Sequence, residues 1–360
     1  NLAGFDAWQI VPRMLRDVGT RSLETTFLGQ TLASPLLLSP IGVLEMAHPE
    51  ADIAVGRAAA ACEVPYIFSN QASEPLEAVA EAMGDARRYF QLYWSKSNEL
   101  VESFVSRAEA AGCEAIFVTL DTTLLGWRTR DLGLAYLPFL RGKGIAQYTS
   151  DPVFERLMQQ DTEGDAPRAP ISVKALATLV ESAMSYPGST LSALGSGNAL
   201  KAVRTFVDIY SRPTLTWDDL DFLRQCTQLP IVLKGIQHPD DARRAVDAGV
   251  EGIMVSNHGG RQVDGAIGSI EALPAIAEAV DGRIDIAFDS GIRGGADMLK
   301  ALALGADVVG VGRPYCYGLA IAGESGVKDV LGNLLADFEL TMALSGVSQV
   351  SEISRDLLQV

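Results

Sequence analysis

The stretch Ser256-Asn257-His258-Gly259-Gly260-Arg261 puts an imidazole, two glycines and a guanidinium on one short segment at the end of an apolar run. Neutral imidazole takes a proton near pH 7, and arginine holds a carboxylate through two parallel bonds. Paired glycines let the backbone pass close to a flat ligand. A core histidine beside a surface arginine is the plain alternative, but the strand-end placement and the Gly-Gly-Arg sequel favour a base beside an anion clamp. Another apolar run ends in Thr119-Leu120-Asp121-Thr122, followed by Gly126-Trp127-Arg128. Asp121 is suited to orient His258 and stabilise its protonated form, and Arg128 to complete a two-arginine clamp. Their alternative is a surface ion pair of little energetic worth.

Two further loops carry glycine and arginine together: Asp289-Ser290-Gly291-Ile292-Arg293-Gly294-Gly295 and Gly310-Val311-Gly312-Arg313-Pro314. Backbone N–H groups, a helix N-terminus and two guanidinium groups suit a dianionic monophosphate. Lys234 ends an apolar strand in Leu-Lys-Gly, where an ammonium is costly to bury without an anionic partner. A Schiff-base lysine is its rival reading.

The elements that must position these groups follow one cadence. RAEAAGCEAIFVTLD (107–121), RRAVDAGVEGIMVSNH (243–258) and LKALALGADVVGVGR (299–313) each read as a helix closing on glycine, a turn and an apolar strand. Gly112, Gly249 and Gly305 fit the left-handed position after a helix. Five more strands read as LLLSPIGV (36–43), YIFSN (66–70), RRYFQLYW (87–94), IVLKG (231–235) and IDIAFDSG (284–291). Pro49 and Pro239 suit first helical turns, and Ser73 and Ser97 suit N-caps. Eight strands alternating with helices predict a closed parallel (β/α)8 barrel, with chemistry at the C-terminal strand ends; an open doubly wound sheet accounts for eight strands less well. The reading is one domain over 1–360, with 1–35 ahead of the barrel and FLGQTL (27–32) as one arm of a hairpin plugging its bottom. Between the fourth and fifth strands, about 130–213, turn-rich pieces such as TEGDAPRAP and YPGSTLSALGSG predict a loop or lid over the active-site face, not a second domain.

Composition narrows the partners. A formal charge of −16 argues against nucleic acid or an anionic membrane surface, so the basic residues that matter must sit in local pockets. The four cysteines form no CxxC pair, and the three histidines have no metal-ligand spacing. No apolar run reaches a membrane span, no secretory leader is visible, and the C-terminal Leu-Gln-Val is not a peroxisomal address; the cytoplasm is the expected location.

SNHGGRQ (256–262), LKG (233–235), DSGIRGGAD (289–297), VGRP (311–314) and FQLYW (90–94) occur in one order along practically the whole chain. In this the sequence resembles the FMN-dependent L-2-hydroxy acid oxidases and dehydrogenases. GWRTRDL (126–132), DSG where DGG is commoner, and the long insertion look closest to the lactate 2-monooxygenase and lactate oxidase branch. The resemblance implies that His258 removes the α-hydroxyl proton as hydride passes to flavin N5, with Asp121 supporting the imidazolium. It implies that Arg128 and Arg261 grip the substrate carboxylate and that Tyr93 hydrogen-bonds near the substrate. Pro40, Ile41 and Gly42 would line FMN, with small Gly42 leaving room for oxygen. Ser69, Gln91, Thr119 and Lys234 would contact its rings, the Lys234 ammonium favouring the reduced anion. Asp289, Gly291, Arg293, Gly312 and Arg313 would hold the ribityl-phosphate.

The family's N-terminal substrate-binding tyrosine belongs to a segment upstream of FDAWQIVPRML (5–15) and is not among these residues. A small 2-hydroxy acid, L-lactate foremost, and oxygen are the implied partners, in a tetramer or octamer. A quinone or cytochrome acceptor, and a non-redox barrel for a phosphorylated ligand, are the alternatives. Trp127 and Tyr148 are candidates for the pocket's far wall, against core or solvent-facing roles.

Overall fold

A computed structural model describes residues 1–134, 136–160 and 173–360. Eight parallel strands close into a barrel in chain order: β1 (Leu36–Leu38), β2 (Tyr66–Phe68), β3 (Arg88–Leu92), β4 (Ile116–Thr119), β5 (Ile231–Ile236), β6 (Gly252–Val255), β7 (Asp285–Phe288) and β8 (Val308–Val311). Seven lie inside strands expected from the sequence and β5 runs one residue further, to Ile236; the open-sheet alternative is excluded by the β8–β1 pairing of Val309 with Leu36.

Alternation along the strands sorts side chains between two cores. Leu37, Ile67, Tyr89, Phe117, Val232, Met254, Ala287 and Val308 fill the interior, whereas neighbours such as Leu36, Leu38, Phe68 and Phe90 pack outward. The interior is closed at the strands' N-terminal ends by an antiparallel hairpin, Thr25–Phe27 with Gln30–Leu32. FLGQTL is therefore the hairpin's turn with parts of both arms. Phe27, fully buried, meets Tyr89 edge-on at 6.3 Å.

The outer layer contains α1 (Ala51–Ala61), α2 (Leu76–Met83), α3 (Asn98–Ala110), α4 (Leu220–Cys226), α5 (Pro239–Asp247), α6 (Ser269–Val280), α7 (Gly295–Ala303) and α8 (Arg313–Leu344). The last is broken at Ala322–Gly323. Ser97 caps α3 by accepting from Leu100 N–H, and Pro239 opens α5. Ser73 caps no helix: α2 starts after Pro75, and the Ser73 hydroxyl accepts from Glu45 N–H instead. Pro49 likewise stands ahead of Glu50, the residue before α1. Among the described residues no helix is long and apolar enough to cross a membrane.

The insertion after β4 departs from a turn-rich loop. It contains helices Thr129–Leu134, Ala146–Thr149, Pro152–Gln160, Val173–Ser185, Thr190–Ser196 and Asn198–Ile209. TEGDAPRAP lies outside the described residues; YPGSTLSALGSG contains the helix Thr190–Ser196. Ala199, Ala202, Val203 and Phe206 bury one stripe of the Asn198–Ile209 helix. Tyr148 sits edge-on to Phe206 at 4.8 Å and to Phe104 of α3 at 5.0 Å, joining the insertion to the barrel.

Candidate active site

The C-terminal strand ends converge on a cavity of about 480 Å³. After β6, His258, Gly259 and Gly260 take φ values of +57°, +68° and +74°, so the chain folds into a tight loop. Only His258 bears the strain of a side chain in this left-handed region, worth about 1–3 kcal/mol. The loop's N–H groups are all held: His258 N donates to Ser256 Oγ (3.1 Å), Gly259 N to Ser290 Oγ (2.9 Å) and Gly260 N to Asn257 Oδ1 (3.0 Å).

At the end of β4 the Asp121 carboxylate meets His258 Nδ1 at 2.9 Å. A carboxylate accepts, so Nδ1 carries the proton and Nε2 keeps its lone pair. Burial by itself pushes the Asp121 carboxyl up, but the hydrogen bond and charge of His258, with Lys234 and Thr122, hold it below its ordinary value. Its second oxygen is buried without a hydrogen-bond partner among the described residues, so Oδ1 carries the carboxylate's side-chain bonds, from His258 and from the Thr122 hydroxyl (3.0 Å).

Arg128 and Arg261 both line the cavity. Burial first and the adjacent Arg128 second pull the Arg261 guanidinium below its ordinary value. Two guanidinium groups on one cavity suit an anion. Tyr93 lines the same space, and burial followed by the Asp121 charge pushes its phenol upward, keeping it a hydrogen-bond donor.

Beneath them Lys234, 3% exposed, donates to Ser256 Oγ (2.6 Å) and pairs with Asp289 Oδ2 (3.2 Å). This anionic partner is what the sequence required of a buried lysine. Asp289 also accepts from Ser39 (3.1 Å) and Ser290 (2.9 Å). Ser69 donates to Gln91 Oε1 (3.1 Å), and Gln91 donates onward to Thr119 Oγ1 (3.0 Å). This polar row lies behind the cavity wall, whereas Pro40, Ile41, Gly42, Lys234, Asp289, Gly291, Arg293, Gly312 and Arg313 form the wall itself. A Cβ at Gly42 would stand 2.9 Å from the Gln71 carbonyl, so close backbone packing already requires glycine there.

The far end suits a phosphate. Gly312 precedes the first turn of the long helix α8 and has no side-chain cap, leaving N–H groups for an anion. Arg293 and Arg313 flank it, anchored on the carbonyls of Ile292 (2.7 Å) and Gly259 (3.0 Å). A glycine-lined cleft with an apolar side at Ile41 and Val43, a buried lysine and a cationic end fits a flat ring carrying a phosphate tail.

Neither Trp127 nor Tyr148 lines the cavity: Trp127 is 81% exposed and Tyr148 is wholly buried in the insertion's core. The insertion contributes Tyr136, Leu137, Phe139 and Tyr210 to the wall instead. Sequence reasoning also missed Thr122, Ser290 and Gln262, which stood inside or beside the motifs without a distinguishing residue type.

Residues 1–360 match the sequence profile described as FMN-dependent dehydrogenase. L-lactate oxidase of Lysinibacillus sphaericus (strain C3-41) is 41% identical over 350 residues, covering 97% of this chain and 81% of that protein. Human 2-hydroxyacid oxidase 1 is 39% identical over 361 residues, covering 100% and 87%. A crystal structure of mandelate oxidase superposes with a TM-score of 0.77 at 34% identity, covering 99% of this chain and 87% of that one.

Proposed function

The chain belongs to the FMN-dependent dehydrogenase family, and from that premise we propose that it oxidises a small L-2-hydroxy acid, L-lactate foremost, to the 2-keto acid, with oxygen as the electron acceptor. FMN is the cofactor, and when bound it accepts the hydride that leaves the substrate's C2. Arg128 and Arg261 hold the substrate carboxylate, and Tyr93 donates to a substrate oxygen. His258 Nε2 takes the hydroxyl proton as the carbonyl forms, and Asp121 stabilises the imidazolium. One proton and one hydride leave the substrate, which accounts for the two electrons.

Pro40, Ile41 and Gly42 would line the cofactor and Lys234 would fix a ring edge, with the Ser69–Gln91–Thr119 row next to that wall as the further ring-edge candidates. Asp289, Gly291, Arg293, Gly312 and Arg313 would hold its ribityl-phosphate. The observation that carries the reading is the His258–Asp121 contact at 2.9 Å on a cavity that both arginines also line.

The test is anaerobic titration of the yellow holoprotein with L-lactate, glycolate and mandelate, followed by product analysis in air. L-lactate should bleach the flavin. Pyruvate with peroxide then marks an oxidase, and acetate marks retention of pyruvate and its decarboxylation by peroxide. His258→Ala should keep the colour and lose the bleaching. Rapid bleaching in that variant would remove the base from His258, and bleaching by none of the three acids would sink the substrate class.

A further inference from the structure

We propose that Gln262 is the positioning residue of the carboxylate clamp, orienting Arg128 without neutralising it; this rests on the reading that Arg128 and Arg261 bind the substrate carboxylate. The Gln262 amide uses its full hydrogen-bonding capacity on the loop after β4. Nε2 donates to the carbonyls of Asp121 (2.6 Å) and Leu124 (3.0 Å), while Oε1 accepts from Gly126 N (3.3 Å) and Arg128 Nη2 (3.2 Å). Turning the amide over would face donors with donors and carbonyls with a carbonyl, so its orientation is fixed by its partners.

The two loops also meet backbone to backbone. A Cβ at Gly126 would lie 2.7 Å from the carbonyl oxygens of both Arg261 and Gln262, and Arg128 Nε donates to Arg261 O (3.4 Å). Seating one guanidinium beside another is unfavourable until an anion arrives, and Arg128 adds to burial, the larger cause, in lowering Arg261. A neutral acceptor can hold Arg128 there and leave its charge for the ligand. A carboxylate at this position would lose both donated bonds and compete with the substrate for Arg128.

The experiment measures, on FMN-loaded protein, calorimetric binding of pyruvate, a carboxylate with no oxidisable hydroxyl, and the kcat and KM for L-lactate. It compares the parent with Gln262→Leu, Gln262→Glu and Arg128→Ala. Gln262→Leu should weaken pyruvate binding and raise KM by about 10-fold, with kcat held within about threefold. Gln262→Glu should weaken both further. A merely structural role gives the opposite order, because glutamate is the closer match in shape. If Arg128→Ala loses pyruvate while both Gln262 variants bind it like the parent, or Gln262→Glu is the milder change, the inference fails and the clamp stands. If Arg128→Ala binds pyruvate unchanged, the clamp fails and the inference with it.

Discussion

Replacing Asp121 by asparagine separates the chemistry of the His258 pair from its contribution to folding. The bond at 2.9 Å joins a carboxylate to an imidazole that, in the proposed role of His258 as base, becomes cationic as the substrate is oxidised. A hydrogen bond to a charged group contributes about 1.5–3 kcal/mol, so its loss should slow flavin reduction by about 10- to 150-fold. Asparagine could also donate from its amide to Nδ1, moving the proton to Nε2 and removing the lone pair the mechanism needs, which would place the loss at the upper end or beyond. Folding should respond differently. Asp121 is buried with one oxygen unpartnered, so the neutral amide also relieves a desolvated charge, and stability near pH 7 should change by no more than about 1 kcal/mol.

The acid limb checks the same pair. Because the folded-state carboxyl titrates below its ordinary value, its contribution is present above the unfolded carboxylate pKa of about 3.9 and fades as pH falls through the lower folded value. The variant should lack that part of the parent's acid destabilisation. Anaerobic stopped-flow reduction by L-lactate, alongside denaturant unfolding from pH 2 to 7, measures both. A reduction rate within twofold of the parent at unchanged stability would refute the role of Asp121.

Lys234→Met leaves Asp289 buried beside Ser39 and Ser290 with its cation gone; denaturant unfolding should show a loss of about 3 kcal/mol, and an unchanged midpoint would mean the pair is not coupled to folding. Ser290 holds φ +84° while bridging Gly259 N–H and Asp289. Ser290→Ala keeps the strain and loses the bridge, whereas Ser290→Gly loses both, so the glycine variant should unfold about 1 kcal/mol later than the alanine variant; the reverse order would deny the strain. Asp52 is wholly buried, and that burial raises its carboxyl to about 7 despite hydrogen bonds from Ser73 N–H and Tyr66. Since the folded value exceeds the unfolded one, its contribution is full below about pH 4 and is lost as pH rises through about 7. Thermal unfolding of the parent should carry this decline, and Asp52→Asn should remove it; an identical pH slope in the two proteins would contradict the assignment.

The barrel was legible because its signals are local and repeated. A glycine at +72°, +70° or +108° after a helix, at Gly112, Gly249 and Gly305, marks the turn into each of three strands. Strands covered on both faces read as unbroken apolar runs. The insertion was less legible, because several of its helices are short and part of its packing is between small residues, as with Ala183, Ala193 and Ala199. A stripe of alanines between glycines and serines resembles a turn-rich loop until the partner helix is in place. Ser73 misled for a related reason: its hydroxyl satisfies an N–H from the segment after β1, and a contact of that range leaves no trace in neighbouring residues.

The site divides along the same physical line. His258, Arg261, Asp289, Arg293 and Arg313 are ionisable types shortly after strand ends, where residue type narrows the possible use, so the sequence singles them out as candidates. Gln262, Thr122 and Ser290 are neutral and common on any surface. What distinguishes each is the set of partners supplied by another loop: Asp121, Leu124, Gly126 and Arg128 for Gln262, and Gly259 for Ser290. A cation clamp or a base is announced by its own side chain, whereas the group that aims it is defined only by what it touches. Arg128 shows the consequence: its charge made it a candidate from sequence, yet its direction is held by Gln262, 134 residues further along the chain. On the proposed reading, an arginine pair in an otherwise acidic protein serves as a carboxylate site because a neutral partner from a distant segment orients one of the two cations on their shared cavity.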